Sequence, residues 1–216
     1  MRFSVFIICI LVSQWVYAQP ARMLSKHEID SIFTGLEYPV FRGWEYKDPA
    51  GLHYLLLMEK YSQTKPKDTI TTNIAAVCMS RYVYDFRQVH VSNLVKEAQI
   101  PSLRWRLRDA LEADEKSIWF FTRYISPIDI DGDGYVDPLI IYGTSPKEDG
   151  SDHRRLKMLL YYRYSKVAIR AVTGTLDAER SIQYDAAFYK LPQSIQSYMK
   201  QLLKQISKDQ HFILAD

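Results

Sequence analysis

The run Asp129-Ile-Asp131-Gly132-Asp133-Gly134-Tyr135-Val136-Asp137 lies between two apolar stretches and constrains this chain more than any other feature. Its four carboxylates crowd into a few residues, and Gly134 sits where a sharply bent loop needs positive φ. Side chains of one charge gathered so tightly repel one another unless a cation lies among them. Hard oxygen ligands in this number suit calcium, with water and a backbone carbonyl, here that of Tyr135, completing the shell. The expected ligands are therefore Asp129, Asp131, Asp133 and Asp137 by side chain and Tyr135 by its carbonyl. Magnesium fits less well, because it keeps more of its water and demands stricter octahedral geometry. The competing reading is a solvated Asp/Gly turn.

The flanks say what kind of loop this is. An EF-hand closes with a bidentate Glu at its twelfth position, where this chain has Ile140, and Pro127 and Pro138 disfavour helices at the two junctions. Ser117–Ser126 and Pro138–Gly143 read instead as strands, so a calcium loop at 127–138 is expected between two strands.

Met1-Arg2 followed by the apolar run Phe3–Trp15 and by Val16-Tyr17-Ala18 is the pattern of a secretory signal peptide, residues 1–18, cleaved after Ala18. The apolar run is too short to cross about 30 Å of bilayer comfortably, so no transmembrane segment is expected after cleavage. Residues 19–216 suit a single exported α+β domain. The expected location is the periplasm, the outer surface or the medium. A net charge of +3 excludes a nucleic-acid footprint. Of the two cysteines only Cys78 lies in the exported part, in apolar surroundings, which predicts a buried, inert thiol and no disulfide.

Ser25-Lys-His-Glu28 is a capping box, and Ile29, Ile32, Phe33 and Leu36 follow at helical spacing, predicting a helix over 26–35. Tyr38–Tyr46 and Leu52–Tyr61 read as strands around a turn at Asp48–Gly51, with a polar loop at 62–68 and a further strand from Thr69 to Phe86. Ser102 before Leu103, Leu107, Ala110 and Leu111 predicts a second helix over 102–113. Its Arg104, Arg106 and Arg108 would either pair with Asp109, Glu112 and Glu115 or grip an anionic glycan or lipid. Thr144–Arg155 reads as a polar loop. A hairpin over 156–172 and a third helix over 192–207, with Ile195, Met199, Leu202, Leu203 and Ile206 on one face, complete the chain. The expectation is an antiparallel β-sheet body with three packed helices and one calcium loop between two strands.

At residues 129–137 the pattern Asp-x-Asp-x-Asp-Gly-x-x-Asp resembles the calcium loop of FG-GAP/VCBS-type repeats, as in integrin α-chain propellers. That resemblance implies calcium as the bound ion on the same five residues. One copy falls short of the several blades a propeller needs. Residues 115–207, through Asp129–Gly134, Lys166–Gly174 and Asp185–Leu191, more loosely resemble a family of exported bacterial proteins labelled as surface polysaccharide biosynthesis proteins. This second resemblance implies a role in surface polysaccharide assembly or binding, with a cell-surface glycan or an envelope protein as partner. The histidines at 27, 53, 90, 153 and 211 show no metal or catalytic spacing, and no nucleophile or phosphate-loop motif is present. A non-catalytic role with structural calcium is therefore expected, and the alternative is an envelope enzyme acting on glycan or peptidoglycan through paired carboxylates.

Overall fold

A computed structural model of the chain describes residues 20–65, 68–81, 101–147, 153–163 and 165–215. The segment expected to be a signal peptide, the end of the strand expected to reach Phe86, and residues 148–152 of the expected 144–155 loop lie outside the described residues; the ends of that loop are strand, in β7 to Pro146 and in β8 from Arg155.

The chain builds two antiparallel sheets of five strands each, one after the other in sequence. The first joins β1 (Arg22–Met23), β2 (Val40–Asp48), β3 (Gly51–Lys65), β4 (Asp68–Arg81) and β5 (Ser102–Ala110) in chain order. The second joins β6 (Glu115–Phe120), β7 (Leu139–Pro146), β8 (Arg155–Tyr162), β9 (Ser165–Val172) and β10 (Ser181–Tyr184), again as successive neighbours. Among the described residues there are two α-helices, α1 (Lys26–Ile32) and α2 (Gln193–Asp209). The single sheet with three helices is thus replaced by two sheets and two helices.

Alternation along each strand sorts the core into layers. Leu55, Leu57, Ile74, Ala76, Cys78 and Leu107 share one buried cluster with the second sheet. Tyr54, Leu56, Met58, Ala75 and Val77 point the other way, against Leu24 and against Ile29 and Phe33 from the α1 region. The capping box forms as the sequence predicts: the Glu28 amide donates to Ser25 Oγ at 3.3 Å, and the Ser25 amide donates to Glu28 Oε2 at 2.8 Å.

Three contacts fix which face of the second sheet meets the first. Phe120 stacks on Phe41, Tyr161 on Trp105 and Tyr142 hydrogen-bonds Asp109. The alternate residues, such as Leu139, Ile141 and Met158, therefore point outward beneath α2, whose Ile195, Met199, Leu202, Leu203 and Ile206 are buried. The order of layers is α1, first sheet, second sheet, α2. The central strands of each sheet are buried on both faces, which is why they read as nearly continuous apolar runs.

The helix expected over 102–113 is strand β5, paired with β4 through Cys78↔Trp105, Ala76↔Leu107 and Ile74↔Asp109. Leu103, Leu107, Ala110 and Leu111 mimic a helical stripe. The same segment also alternates Arg104, Arg106 and Arg108 with Trp105, Leu107 and Asp109, and an open edge on β4 selects that period of two. The polar loop expected over 62–68 is corrected too, because β3 and β4 run as paired strands to Lys65 and from Asp68.

The acidic partners expected for those arginines are held by the second sheet instead. Arg155 on β8 donates to Glu115 through Nε at 2.5 Å and Nη2 at 2.6 Å, and it approaches Asp109 at 3.4 Å and Glu112 at 3.0 Å. Lys157 Nζ and the Tyr142 hydroxyl add bonds to Asp109 at 2.8 and 2.7 Å. Burial would raise the Asp109 and Glu115 carboxyls, but these donors outweigh it and hold both below their ordinary values. Arg108 pairs with Glu37 at 2.6 Å.

Candidate functional site

The acidic loop follows a short 3-10 turn at Thr122–Tyr124 and leads into β7. Its neck is closed by the Asp137 amide donating to the Ile128 carbonyl at 2.7 Å. Gly132 and Gly134 take φ of 78° and 90°, a region other residues enter only at a steric cost.

Those bends turn backbone N–H groups inward onto the carboxylates. Asp129 accepts from the amides of Gly132 at 2.7 Å and Gly134 at 2.8 Å, and Asp137 Oδ2 accepts from Ile130 at 3.0 Å. Oxygens of Asp129, Asp131 and Asp137, one from each, lie within 4.8 Å of one another. Asp137 is only 1% exposed. Burial, and then the charges of Asp131, Asp133 and Asp129, push its carboxyl up to about 7 despite the Ile130 amide. Like charges confined this closely form a hard-oxygen donor set that fits a metal ion.

Asp133 stands outside that trio. Arg163 donates to its Oδ2 through Nη2 at 2.8 Å and Nε at 3.2 Å, and the Tyr135 amide donates to its Oδ1 at 2.8 Å. Arg163 occupies the two-residue connection between β8 and β9 with φ of 44°, a position that usually falls to Gly or Asn. Beside it, the Tyr162 hydroxyl donates to Asp131 Oδ2 at 3.2 Å. The β8–β9 hairpin thus reaches two of the loop's four carboxylates.

The first sheet reaches the loop from the other side, through residues that sequence reasoning passed over. Asp48 Oδ2 accepts the Val136 amide at 3.3 Å, and Asp48 Oδ1 accepts the Ala50 amide at 2.8 Å and meets His53 Nε2 at 2.9 Å. His53 Nδ1 lies 2.6 Å from Ser80 Oγ. Burial would raise the Asp48 carboxyl, yet His53 and the two amides hold it below its ordinary value. The serine, histidine and aspartate resemble a catalytic series, but Ser80 is 2% exposed and does not line the adjoining cavity. The series braces the sheet. Its only sequence signal is strand register, which sets His53 opposite Ser80.

A cavity of about 370 Å³ opens between this brace and the loop, lined among others by Tyr46, His53, Arg104, Trp105, Tyr161 and Arg163. Cys78 closes its floor, and burial pushes the Cys78 thiol up to about 11, away from the reactive thiolate.

Comparison of the chain with family models, with curated proteins and with solved structures finds no match. The FG-GAP/VCBS and polysaccharide-protein likenesses therefore reduce here to a generic acidic loop able to bind a metal. No described helix is long and apolar enough to cross a membrane.

Proposed function

We propose that the chain is an exported, non-catalytic, calcium-binding domain of the cell envelope or its surroundings, with the ion pinning the 127–138 loop. The observation that carries this reading is Asp137, buried among two other carboxylates of the same loop. A divalent cation offsets the burial, and after it the neighbouring charges, that otherwise push its carboxyl toward neutrality. Asp129, Asp131 and Asp137 supply side-chain oxygens, and the Tyr135 carbonyl and water complete the shell. Asp133 is shared between the ion and Arg163. Calcium is favoured over magnesium because three carboxylates and a carbonyl from one contiguous loop suit its larger, less strict shell. The FG-GAP/VCBS-like spacing supports the same ion. The signal-like N-terminus and the looser second resemblance support export and a part in surface polysaccharide assembly or binding.

Thermal melts of the purified protein with calcium, with magnesium and with excess chelator test the reading. With a dissociation constant of about 0.1 mM, roughly 1 mM calcium stabilises the fold by about 1.4 kcal/mol. The expected result is a calcium-specific rise in Tm that is lost in Asp131→Ala. No shift, with metal analysis finding no tightly held ion, would overturn it.

A further inference from the structure

The cavity beside the loop has walls of a different character from the loop itself. Trp105 on β5 and Tyr161 on β8 stack with ring centroids 3.6 Å apart and planes 2° apart, forming a rigid aromatic pair across the two sheets. Tyr46 stacks on His53 at 5.1 Å, and its hydroxyl lies 3.4 Å from Cys78 Sγ. Val136 and Pro138 add apolar surface from the loop side.

The polar groups divide sharply. Asp48, the carboxylate in the lining, already meets two amides and His53. The other full charges in the lining are cationic. Arg104 and Arg163 both line the cavity, and the Arg163 side chain is 62% exposed at the mouth. The bonds from Arg163 to Asp133 run through Nε and Nη2 to a single oxygen, so the Nη1 edge faces no acceptor in that pair.

A volume of about 370 Å³ lies at the small end of ligand pockets, which run to about 300–1,000 Å³. It suits a molecule of one ring. Guanidinium groups recognise planar carboxylates through paired hydrogen bonds, and aromatic walls favour a flat or ring-shaped body. We propose that this cavity binds a small organic anion, a carboxylate carried on a single ring, with Arg104 and Arg163 as its counter-ions. An aromatic acid and an acidic sugar share that chemistry. The loop carboxylates do not line the cavity, Asp133 holding Arg163 only by its Nε and Nη2, and the inference does not depend on a bound ion.

Calorimetric titration of the purified protein with benzoate, with glucuronate and with inorganic phosphate tests it, in excess chelator and again with calcium. Saturable one-to-one binding of benzoate or glucuronate is expected, with phosphate at least about tenfold weaker, and the stronger of the two names the source. Arg163→Gln should weaken that binding at least about tenfold, the size expected for a lost charge-assisted hydrogen bond. Arg163 is exposed, so this variant should still fold, as its melting curve will show, and Arg104→Gln provides the second reading. Failure of either carboxylate to saturate by about 10 mM, phosphate binding as tightly as both, or binding unchanged in both arginine variants would overturn the proposal. A missing calcium isotherm beside intact carboxylate binding would count against the metal alone.

Discussion

The Val136 amide donates to Asp48 Oδ2 at 3.3 Å, joining the acidic loop to the first sheet across 88 residues of sequence. Asp48 is 7% exposed and also anchors Ala50 and His53, so this carboxylate holds three elements at once. Asp48→Ala leaves buried donors without an acceptor and should cost about 2–4 kcal/mol in chemical denaturation. Amide exchange at Val136 should accelerate in the same variant. A loss below about 0.5 kcal/mol would show that the brace carries no weight.

Asp133 and Asp131 should behave differently toward calcium although they are two residues apart. Asp131 belongs to the clustered trio, whereas Asp133 is drawn to Arg163. Asp131→Ala should weaken calcium binding by about tenfold or more, and Asp133→Ala by less. Arg163→Gln removes a nearby positive charge and frees Asp133, so it should tighten calcium binding. Equal effects of the two alanine variants would favour a site in which all four carboxylates contribute alike.

That contrast marks the limit of what the sequence could reveal about the site. Spacing brought Asp129, Asp131, Asp133 and Asp137 into one loop, because the loop is local and its glycines announce the bends. Nothing local announces that Arg163, on a hairpin thirty residues later, competes for Asp133. Asp48, His53 and Ser80 were hidden for the same reason, since strand register alone brings them together. The capping box and the C-terminal helix were legible because their patterns are self-contained. Strand β5 was misread because Leu103, Leu107 and Leu111 satisfy a helical period as well as the arginines satisfy a strand period. A partner strand decided between them.

Stability toward acid should follow the Asp109–Glu115–Arg155 network. Both carboxyls lie below their ordinary values in the folded protein, so the unfolded chain takes up protons first as pH falls. Their contribution is fully present above the unfolded values of about 4, and it is lost as pH falls through the lower folded values. Melts between about pH 6 and pH 2 should show this decline. In Glu115→Gln the protein should be less stable at neutral pH and the decline shallower. An unchanged slope would assign acid sensitivity elsewhere.

Gly143 on β7 should tolerate no side chain. A Cβ there would lie 2.8 Å from the Phe121 ring and 3.0 Å from the Arg155 carbonyl, so ring and backbone cannot both stay in place. Gly143→Ala should destabilise the protein by about 1–3 kcal/mol, read from a lower denaturation midpoint at unchanged slope. A neutral result would mean that the Phe121 ring and the adjoining strand yield more readily than a close-packed core allows.

Among the described residues the two sheets exchange no strand: the strands up to Ala110 build one, the strands from Glu115 build the other, and each half carries its own covering helix. The polypeptide is therefore divisible at residues 111–114 without cutting any strand. Fragments made there would each bear one complete sheet and one bare apolar face, and each face is the other's natural complement. Such halves should be insoluble or poorly ordered apart and recover order when mixed. The boundary that makes this chain one body is a surface between two pieces that know nothing of each other until they meet.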